Sequence, residues 1–329
     1  MICSFYMEII YPNLYIFRDK FLTICYSYIE VQTMAKSFND IYNEVFSKYG
    51  DEINKIQNST KKKVKIAVII YCIILLALIL LKMYFAIIQC SIFYLVISTI
   101  IINLTSRYGN GNKYKTGVIN DLVKAVYPSS EYNYIKGIPS SKYNKRAFKD
   151  HYDRYSSEDL VVTNNAMNLE FSEVHTEVES EDSDGHTTYT TSFSGIAGLC
   201  DLRKNINTNL YITSNRAFAK SNKNNVRVDM PEFEKTFDVF ADNKITAMGL
   251  LTADVMAELL EMKKNLGCMF EIAVENDKIY FRMHTGNSFE MTIFKDSMGV
   301  EQLKKYYDLL VYVDRITKLL DKHIQALEI

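Results

Sequence analysis

Residues Ile66–Leu81 read IAVIIYCIILLALILL, sixteen positions without a charged side chain. After Lys82 the chain continues uncharged from Met83 to Ile102 as MYFAIIQCSIFYLVISTIII. A single helix over this whole stretch is roughly 55 Å long, whereas the hydrocarbon core of a bilayer is about 30 Å thick. We therefore predict a two-helix transmembrane hairpin with a tight turn at Lys82, whose ammonium group reaches the membrane interface.

Basic residues on both flanks of the apolar stretch predict its orientation. Four lysines precede it, Lys61, Lys62, Lys63 and Lys65, and Arg107, Lys113 and Lys115 follow it. Because basic residues concentrate on the cytoplasmic side, we expect two spans in the cell inner (cytoplasmic) membrane with both termini cytoplasmic. The four leading lysines are then expected to contact the surface of the lipid bilayer.

The remaining chain divides into segments of different character. Residues 1–33 are rich in Tyr, Ile and Phe but contain no clean apolar run, and from Met34 the apolar residues follow one helical face. We expect 1–33 to be a mis-assigned leader, 34–63 a cytoplasmic amphipathic helix, 64–104 the transmembrane hairpin and 105–329 a cytoplasmic α+β domain. The alternative for 1–33 is a segment that lies in the membrane interface.

The composition excludes several classes of protein. The 329 residues carry 38 Lys and Arg against 39 Asp and Glu, a balance that argues against nucleic acid as a partner. Six cysteines without paired spacing argue against a disulfide-stapled secreted module. No nucleophile elbow or phosphate-binding loop is complete, so we expect no cofactor.

The region after the apolar stretch predicts antiparallel strands with flanking helices. Alternating or β-branched runs predict strands at Leu160–Thr163, Met167–Val178, Thr187–Phe193, Leu210–Thr213, Met269–Val274, Lys278–His284 and Phe289–Phe294. Thr252 and Gly267 suit the two caps of a helix over the intervening residues. A long helix is predicted from about Val300 to Ala326, and its broad apolar face favours packing into its own domain, with self-association into a homo-oligomer as the alternative.

An ordered set of short motifs in this region resembles a known family. The motifs include Tyr155–Leu160, Phe171–Val174, Phe193–Gly195, Phe233–Val239 and Phe289-Glu290. Together they resemble the bacterial integral-membrane family catalogued as domain of unknown function number 3137. The resemblance implies a membrane protein with a cytoplasmic α+β domain, no assigned activity and a LemA-like protein partner at the membrane. Glu173 and Glu290 are the carboxylates best placed in family-like motifs.

Two further stretches are candidates for binding. In HTEVESEDSDGH, the side chains of His175, Asp182, Asp184 and His186 are weak candidates for a metal site, because the spacing fails the pattern of a calcium loop and fits a solvated hairpin tip. Lys145 and Arg146 lie in a basic, aromatic stretch that suits contact with anionic lipid headgroups, although interspersed acids also fit a solvated face.

These features favour a binding or scaffolding role over catalysis. We expect a membrane-anchored cytoplasmic domain that binds a protein partner or the membrane surface. We favour a protein without enzymatic activity over an enzyme. The alternative is an enzyme of unrecognised type on the cytoplasmic face. A deep pocket that contains Glu173 with a shifted pKa would favour the enzyme.

Overall fold

The computed structural model describes residues 37–82, 89–94, 96, 111–144, 147–148, 150–164, 167–181, 185–206, 208–214, 224–290 and 296–327. The proposed leader, residues 1–33, lies outside the described residues, and the division of the chain at residues 33, 63 and 104 stays a prediction.

The first element is one continuous helix, α1 (Phe38–Leu80). Its N-cap is Ser37, whose side chain accepts a hydrogen bond from the backbone N–H of Asp40. The sequence predicts an amphipathic helix that ends near Gln57, followed by a separate span. Because no proline interrupts the segment, the amphipathic part and the apolar part form a single continuous helix.

Among the described residues, α1 is the one helix long and apolar enough to cross a membrane. The predicted two-helix hairpin is therefore not established, and the described chain has one candidate span. Most of the second apolar stretch, including 83–88 and 97–104, lies outside the described residues. The helical residues described within it, 89–94 and 96, are too few to cross a bilayer.

A second helical segment leads into the folded domain. It begins with Gly111–Lys113, passes through a π-helical stretch, Tyr114–Ile119, and ends as α2 (Asn120–Val126). Gly111 and Asn112, from a glycine- and asparagine-rich stretch, already belong to this helical segment. π-Helical turns are rare and concentrate at functional sites.

In the described part of the chain, eight strands form one antiparallel sheet in the order β1-β2-β3-β4-β8-β7-β5-β6. The strands are β1 (Ser130–Asn133), β2 (Arg154–Thr163), β3 (Glu170–Glu181), β4 (Thr187–Asp201), β5 (Asn209–Thr213), β6 (Asp238–Ala241), β7 (Phe270–Glu275) and β8 (Lys278–Met283). This confirms the expected mixture of helices and antiparallel strands. The predicted strand Phe289–Phe294 is wrong at Phe289, whose N–H bonds to a side chain instead of a neighbouring strand.

The remaining helices are α3 (Pro231–Thr236), α4 (Lys244–Leu250), α5 (Ala253–Leu266) and α6 (Val300–Ala326). Thr252 is the N-cap of α5, and Gly267 follows its C-terminus with a left-handed φ of 64°, as their residue types predict. The apolar face of α6 is buried within its own chain, including Leu310 and Leu320.

The core lies on both faces of the sheet. On one face the helices pack against strand residues such as Phe171, Ile196 and Phe281, and Ile41, Val45 and Ile53 of α1 belong to this same cluster. On the other face, aromatic residues of the connection between β1 and β2 form a smaller cluster. The first half of α1 is therefore part of the folded domain, and its second half carries the apolar surface.

Candidate acidic pocket

The residues singled out from the sequence as metal ligands do not converge. His175 lies on β3, with its Nε2 atom 3.4 Å from Glu177 Oε1, and His186 is exposed just before β4. Asp182 and Asp184 lie outside the described residues, as do Lys145 and Arg146. The exposed side chains of Lys61, Lys62, Lys63 and Lys65 lie on α1 between the domain and the apolar half of the helix, and their contact with membrane stays a prediction.

The structure instead brings four carboxylates together, three of them from neighbouring strands. Glu158 and Asp159 belong to β2, Glu173 to β3, and Glu290 to the segment after β8. One carboxylate oxygen from each lies within 4.8 Å of the others. We call these four side chains the acidic cluster.

The sheet register places like charges side by side. Glu158 is directly opposite Glu173 across β2 and β3, and the register shifts between Glu158 and Val161. At this irregularity Asp159 adopts a φ of 59°, a left-handed conformation that is uncommon for a residue with a side chain. Because like charges opposite each other weaken a sheet, and left-handed backbone costs energy, this arrangement is typical of a functional site.

Glu173 is the most deeply constrained member of the cluster. Its Oε1 atom accepts hydrogen bonds from the backbone N–H groups of Ser288 and, at 2.8 Å, Phe289. Among the described residues, its Oε2 atom is buried without any hydrogen-bond partner. Burial, followed by the neighbouring charge of Asp159, raises the pKa of Glu173 to about 8.

Lys115 supplies the counter-charge from the π-helical stretch. Its Nζ atom lies 2.6 Å from Asp159 Oδ2, 2.7 Å from Glu290 Oε1 and 3.6 Å from Glu158 Oε2. Burial by itself lowers the pKa of Lys115, but attraction to Asp159 and hydrogen bonds to Asp159 and Glu290 outweigh it and raise the pKa. Lys115 is therefore charged.

Asp159 lies between Lys115 and a tyrosine. Tyr132 donates a hydrogen bond to Asp159 Oδ1, and Lys115 bonds to Oδ2. Burial raises the pKa of Asp159 to about 6, although both hydrogen bonds and the charge of Lys115 oppose the rise. Among the described residues, four carboxyl groups therefore lie close together with one ammonium group, that of Lys115.

The cluster borders a cavity of about 630 Å³. Its lining includes Lys115, Glu158, Glu173 and Glu290 from the charged set, together with neutral residues such as Tyr134 and Asn287. A cavity of this size accommodates a small molecule or a hydrated ion. We call this cavity with its charged lining the acidic pocket.

Comparison with known proteins finds a family model that matches part of this domain. Residues 191–322 match the family described as Protein of unknown function (DUF3137). The match confirms the resemblance over that range, which contains Glu290 but not Lys115 or the other three carboxylates. No curated protein matches the chain.

One solved structure is similar, the crystal structure of the mycobacterial trehalose monomycolate transport factor A, TtfA. It shares 9% sequence identity, covers 63% of this chain and 97% of its own, and gives a TM-score of 0.30. A likeness this weak transfers neither fold nor function.

The sequence finds part of the acidic pocket. Glu173 and Glu290 are singled out as carboxylates, but no pattern in the sequence connects them. Lys115 is assigned to the basic flank of the membrane segment, whereas its side chain is buried in the domain. Asp159 carries no local signal, because its position depends on a strand irregularity that composition does not reveal.

Proposed function

We propose that this protein is a membrane-anchored binding protein whose folded domain holds a positively charged ligand in the acidic pocket. The observation that carries the proposal is the buried Oε2 atom of Glu173, which has no hydrogen-bond partner among the described residues. The side chain of Glu173 clusters with three other carboxylates and borders a cavity. A buried acceptor left unpaired costs free energy, and a cationic group in the pocket would remove that cost.

The charge balance of the pocket supports a cationic ligand. Apart from Glu173, the three carboxyl groups of Glu158, Asp159 and Glu290 pair with the single ammonium of Lys115 among the described residues. Buried charges in proteins are normally paired, so the pocket has capacity for further positive charge. The ligand chemistry is therefore an ammonium group or a metal cation.

The anchor is proposed to be the two-span hairpin in a bacterial inner membrane. What supports the second span is a contact between the two apolar stretches. The rings of Tyr71 and Tyr94 stack with centroids 3.9 Å apart, and the Tyr71 hydroxyl donates to Ser91 Oγ at 2.8 Å. Such contacts fit a chain that turns back near Lys82, where φ is 56°.

The proposed topology places the lysine group 61–65 and the folded domain on the cytoplasmic side. It predicts that alkaline phosphatase fused after Lys82 is active outside the cytoplasm and that the same enzyme fused after Leu327 is inactive. Activity of the fusion at Leu327 would contradict the topology.

The acidic pocket is held close to the membrane-facing lysines. Lys113, which begins the helical segment leading to Lys115, pairs with Glu52 of α1. From Glu52 to Lys61 is about 14 Å along a helix, so a ligand in the pocket lies near the membrane surface. This position also suits a protein partner in the membrane, such as the LemA-like partner that the resemblance implies.

Native mass spectrometry of the full chain in lipid nanodiscs tests the binding function. We expect wild-type protein isolated from membranes to retain an adduct that Glu173→Gln and Glu290→Gln lose. The matched control is Glu177→Gln on the same strand, where the side chain belongs to a surface pair with Arg154. Equal adducts in the wild type and all three variants, or none in any, would overturn the proposal.

The second candidate is an enzyme on the cytoplasmic face. The observation that favours it is the pKa of Glu173, raised to about 8 by burial, in a cluster with three other carboxyl groups. A protonated and an ionised carboxyl group in one pocket can act as general acid and base. The two candidates predict opposite effects of Glu173→Gln on the amount of bound ligand. An enzyme with this substitution accumulates its unchanged ligand, whereas a binding protein with the substitution loses it.

A further inference from the structure

We propose that the acidic cluster is a divalent-cation site with Glu158, Asp159, Glu173 and Glu290 as its ligands. The inference rests on the proposed function, because it names the positively charged species that the acidic pocket accepts. It goes further in assigning the class of ion, the ligand atoms and a competing role for Lys115.

The spacing of the oxygens fits a metal ion. Two ligands on opposite sides of a metal are separated by twice the metal–oxygen distance, which is about 4.2 Å for magnesium and up to about 5 Å for calcium. One carboxylate oxygen from each member of the cluster lies within 4.8 Å of the other three. Four hard oxygen donors without sulfur or imidazole select calcium, magnesium or manganese.

A second observation, independent of the clustering, is the orientation of Glu173. Its side chain is 5% exposed, and its Oε1 atom is held by two backbone N–H groups. Its Oε2 atom is buried without a hydrogen-bond partner among the described residues, and the carboxylate belongs to the acidic cluster. Hydrogen bonds that orient a ligating carboxylate are a usual feature of metal sites.

Lys115 occupies the position of a competing cation. Its Nζ atom contacts Asp159 and Glu290 at 2.6 and 2.7 Å, so the ammonium pairs with two of the carboxylates that a metal ion would use. A divalent ion replaces one positive charge by two and also engages Glu173, which Lys115 does not contact. We therefore infer that Lys115 weakens metal binding and stabilises the metal-free form of the domain.

The site draws its ligands from separate parts of the fold. β2 and β3 supply three carboxylates, and the segment after β8 supplies Glu290 together with the N–H donors that hold Glu173. Lys115 comes from the π-helical stretch. Because these elements meet only in the folded domain, metal binding should also raise the temperature of its unfolding.

The test uses the full chain in detergent, stripped with a chelator and titrated with manganese. Loss of the free Mn²⁺ signal in electron paramagnetic resonance measures binding, and the thermal shift with Ca²⁺ measures stabilisation. We expect one saturable site per chain. Glu173→Gln and Glu290→Gln should each weaken it at least tenfold, whereas Glu177→Gln should leave it unchanged.

Lys115→Met is the most informative variant, because a metal site and a simple ion pair predict opposite changes in manganese binding when the lysine is removed. If Lys115 competes with the ion, its removal tightens manganese binding severalfold even though it lowers the stability of the metal-free protein. Absence of a saturable site, equal binding in all carboxylate variants, or weaker binding by Lys115→Met would overturn the inference. Glu158→Gln, at a partly exposed position, serves if another carboxylate variant fails to fold.

The two proposals fail in different ways. A pocket-dependent adduct in native mass spectrometry without a saturable Mn²⁺ site would overturn the metal site and support an ammonium ligand. Loss of both signals would overturn the binding function itself.

Discussion

At the scale of single residues, the acidic pocket depends on the close approach of the chain after β8 to β4. Gly195 lies at this crossing, where the backbone N–H of Gly286 donates to Ser194 O at 3.2 Å. A Cβ atom on Gly195 would lie 1.9 Å from Met283 O and 2.7 Å from Thr285 N. Only glycine permits this approach, which in turn brings Ser288 and Phe289 onto Glu173.

We predict that Gly195→Ala lowers the free energy of unfolding by about 3 kcal/mol, because the segment after β8 must move away from β4. Gly267→Ala is the control, since a Cβ there meets no atom within 4 Å and only the left-handed φ of 64° is strained, a cost of about 1 kcal/mol. Urea denaturation measures both variants. A loss for Gly195→Ala no larger than that for Gly267→Ala would contradict the close approach.

At the scale of elements, the hairpin of β7 and β8 is the part of the sheet that its sequence describes best. Asn276, in the turn between the strands, has a φ of 56°, and Asn tolerates this conformation better than most residues. The caps of α5 are likewise local. By contrast, β1 and β6 have four residues each and become strands only because neighbours supply their hydrogen bonds.

The same hairpin carries a buried ion network on the face opposite the acidic pocket. Glu271 is directly opposite Arg282 and accepts hydrogen bonds from Arg282 Nε and the Tyr211 hydroxyl. His284 Nε2 lies 3.5 Å from Glu271, and Arg282 also lies 3.2 Å from Asp150. Burial alone raises the pKa of Glu271, but the bonds from His284 and Arg282 outweigh it and lower the pKa to about 2.

We predict that Glu271→Gln lowers the free energy of unfolding by about 3 kcal/mol at pH 7 and that the loss shrinks in acid. The folded pKa lies below the unfolded value, so the ionised carboxylate stabilises the fold fully above about pH 4.5 and this contribution disappears as the pH falls toward 2. Urea denaturation at pH 7 and pH 3 measures the change. A difference between wild type and variant that is equal at both pH values would contradict it.

At the scale of the whole molecule, α1 joins the candidate membrane span to the folded core without a break. Ile41, Val45 and Ile53 are each at most 3% exposed, and Gln57 and Thr60, just before the lysines, are still buried. The folded domain therefore begins within a few residues of the apolar half of α1.

We predict that residues 111–327 alone are much less stable than the same residues preceded by 37–60 and a linker of about ten Gly and Ser residues. Exposing three buried aliphatic side chains costs about 5 kcal/mol in total, a large part of the usual stability of a domain. Thermal unfolding followed by circular dichroism compares the two proteins. Equal melting temperatures would show that α1 is dispensable for the core.

The sequence by itself determined the apolar stretch, the caps of α5, the β7–β8 turn and the long helix α6, because periodicity, chain length and cap residues act over a few neighbouring positions. It also pointed to Glu173 and Glu290 separately. Only the tertiary structure decided that Lys115, Asp159, Glu173 and Glu290 come close together. Their positions depend on the strand register, on the left-handed backbone of Asp159 and on the close approach of two segments at Gly195. These features are set by packing between segments far apart in the chain.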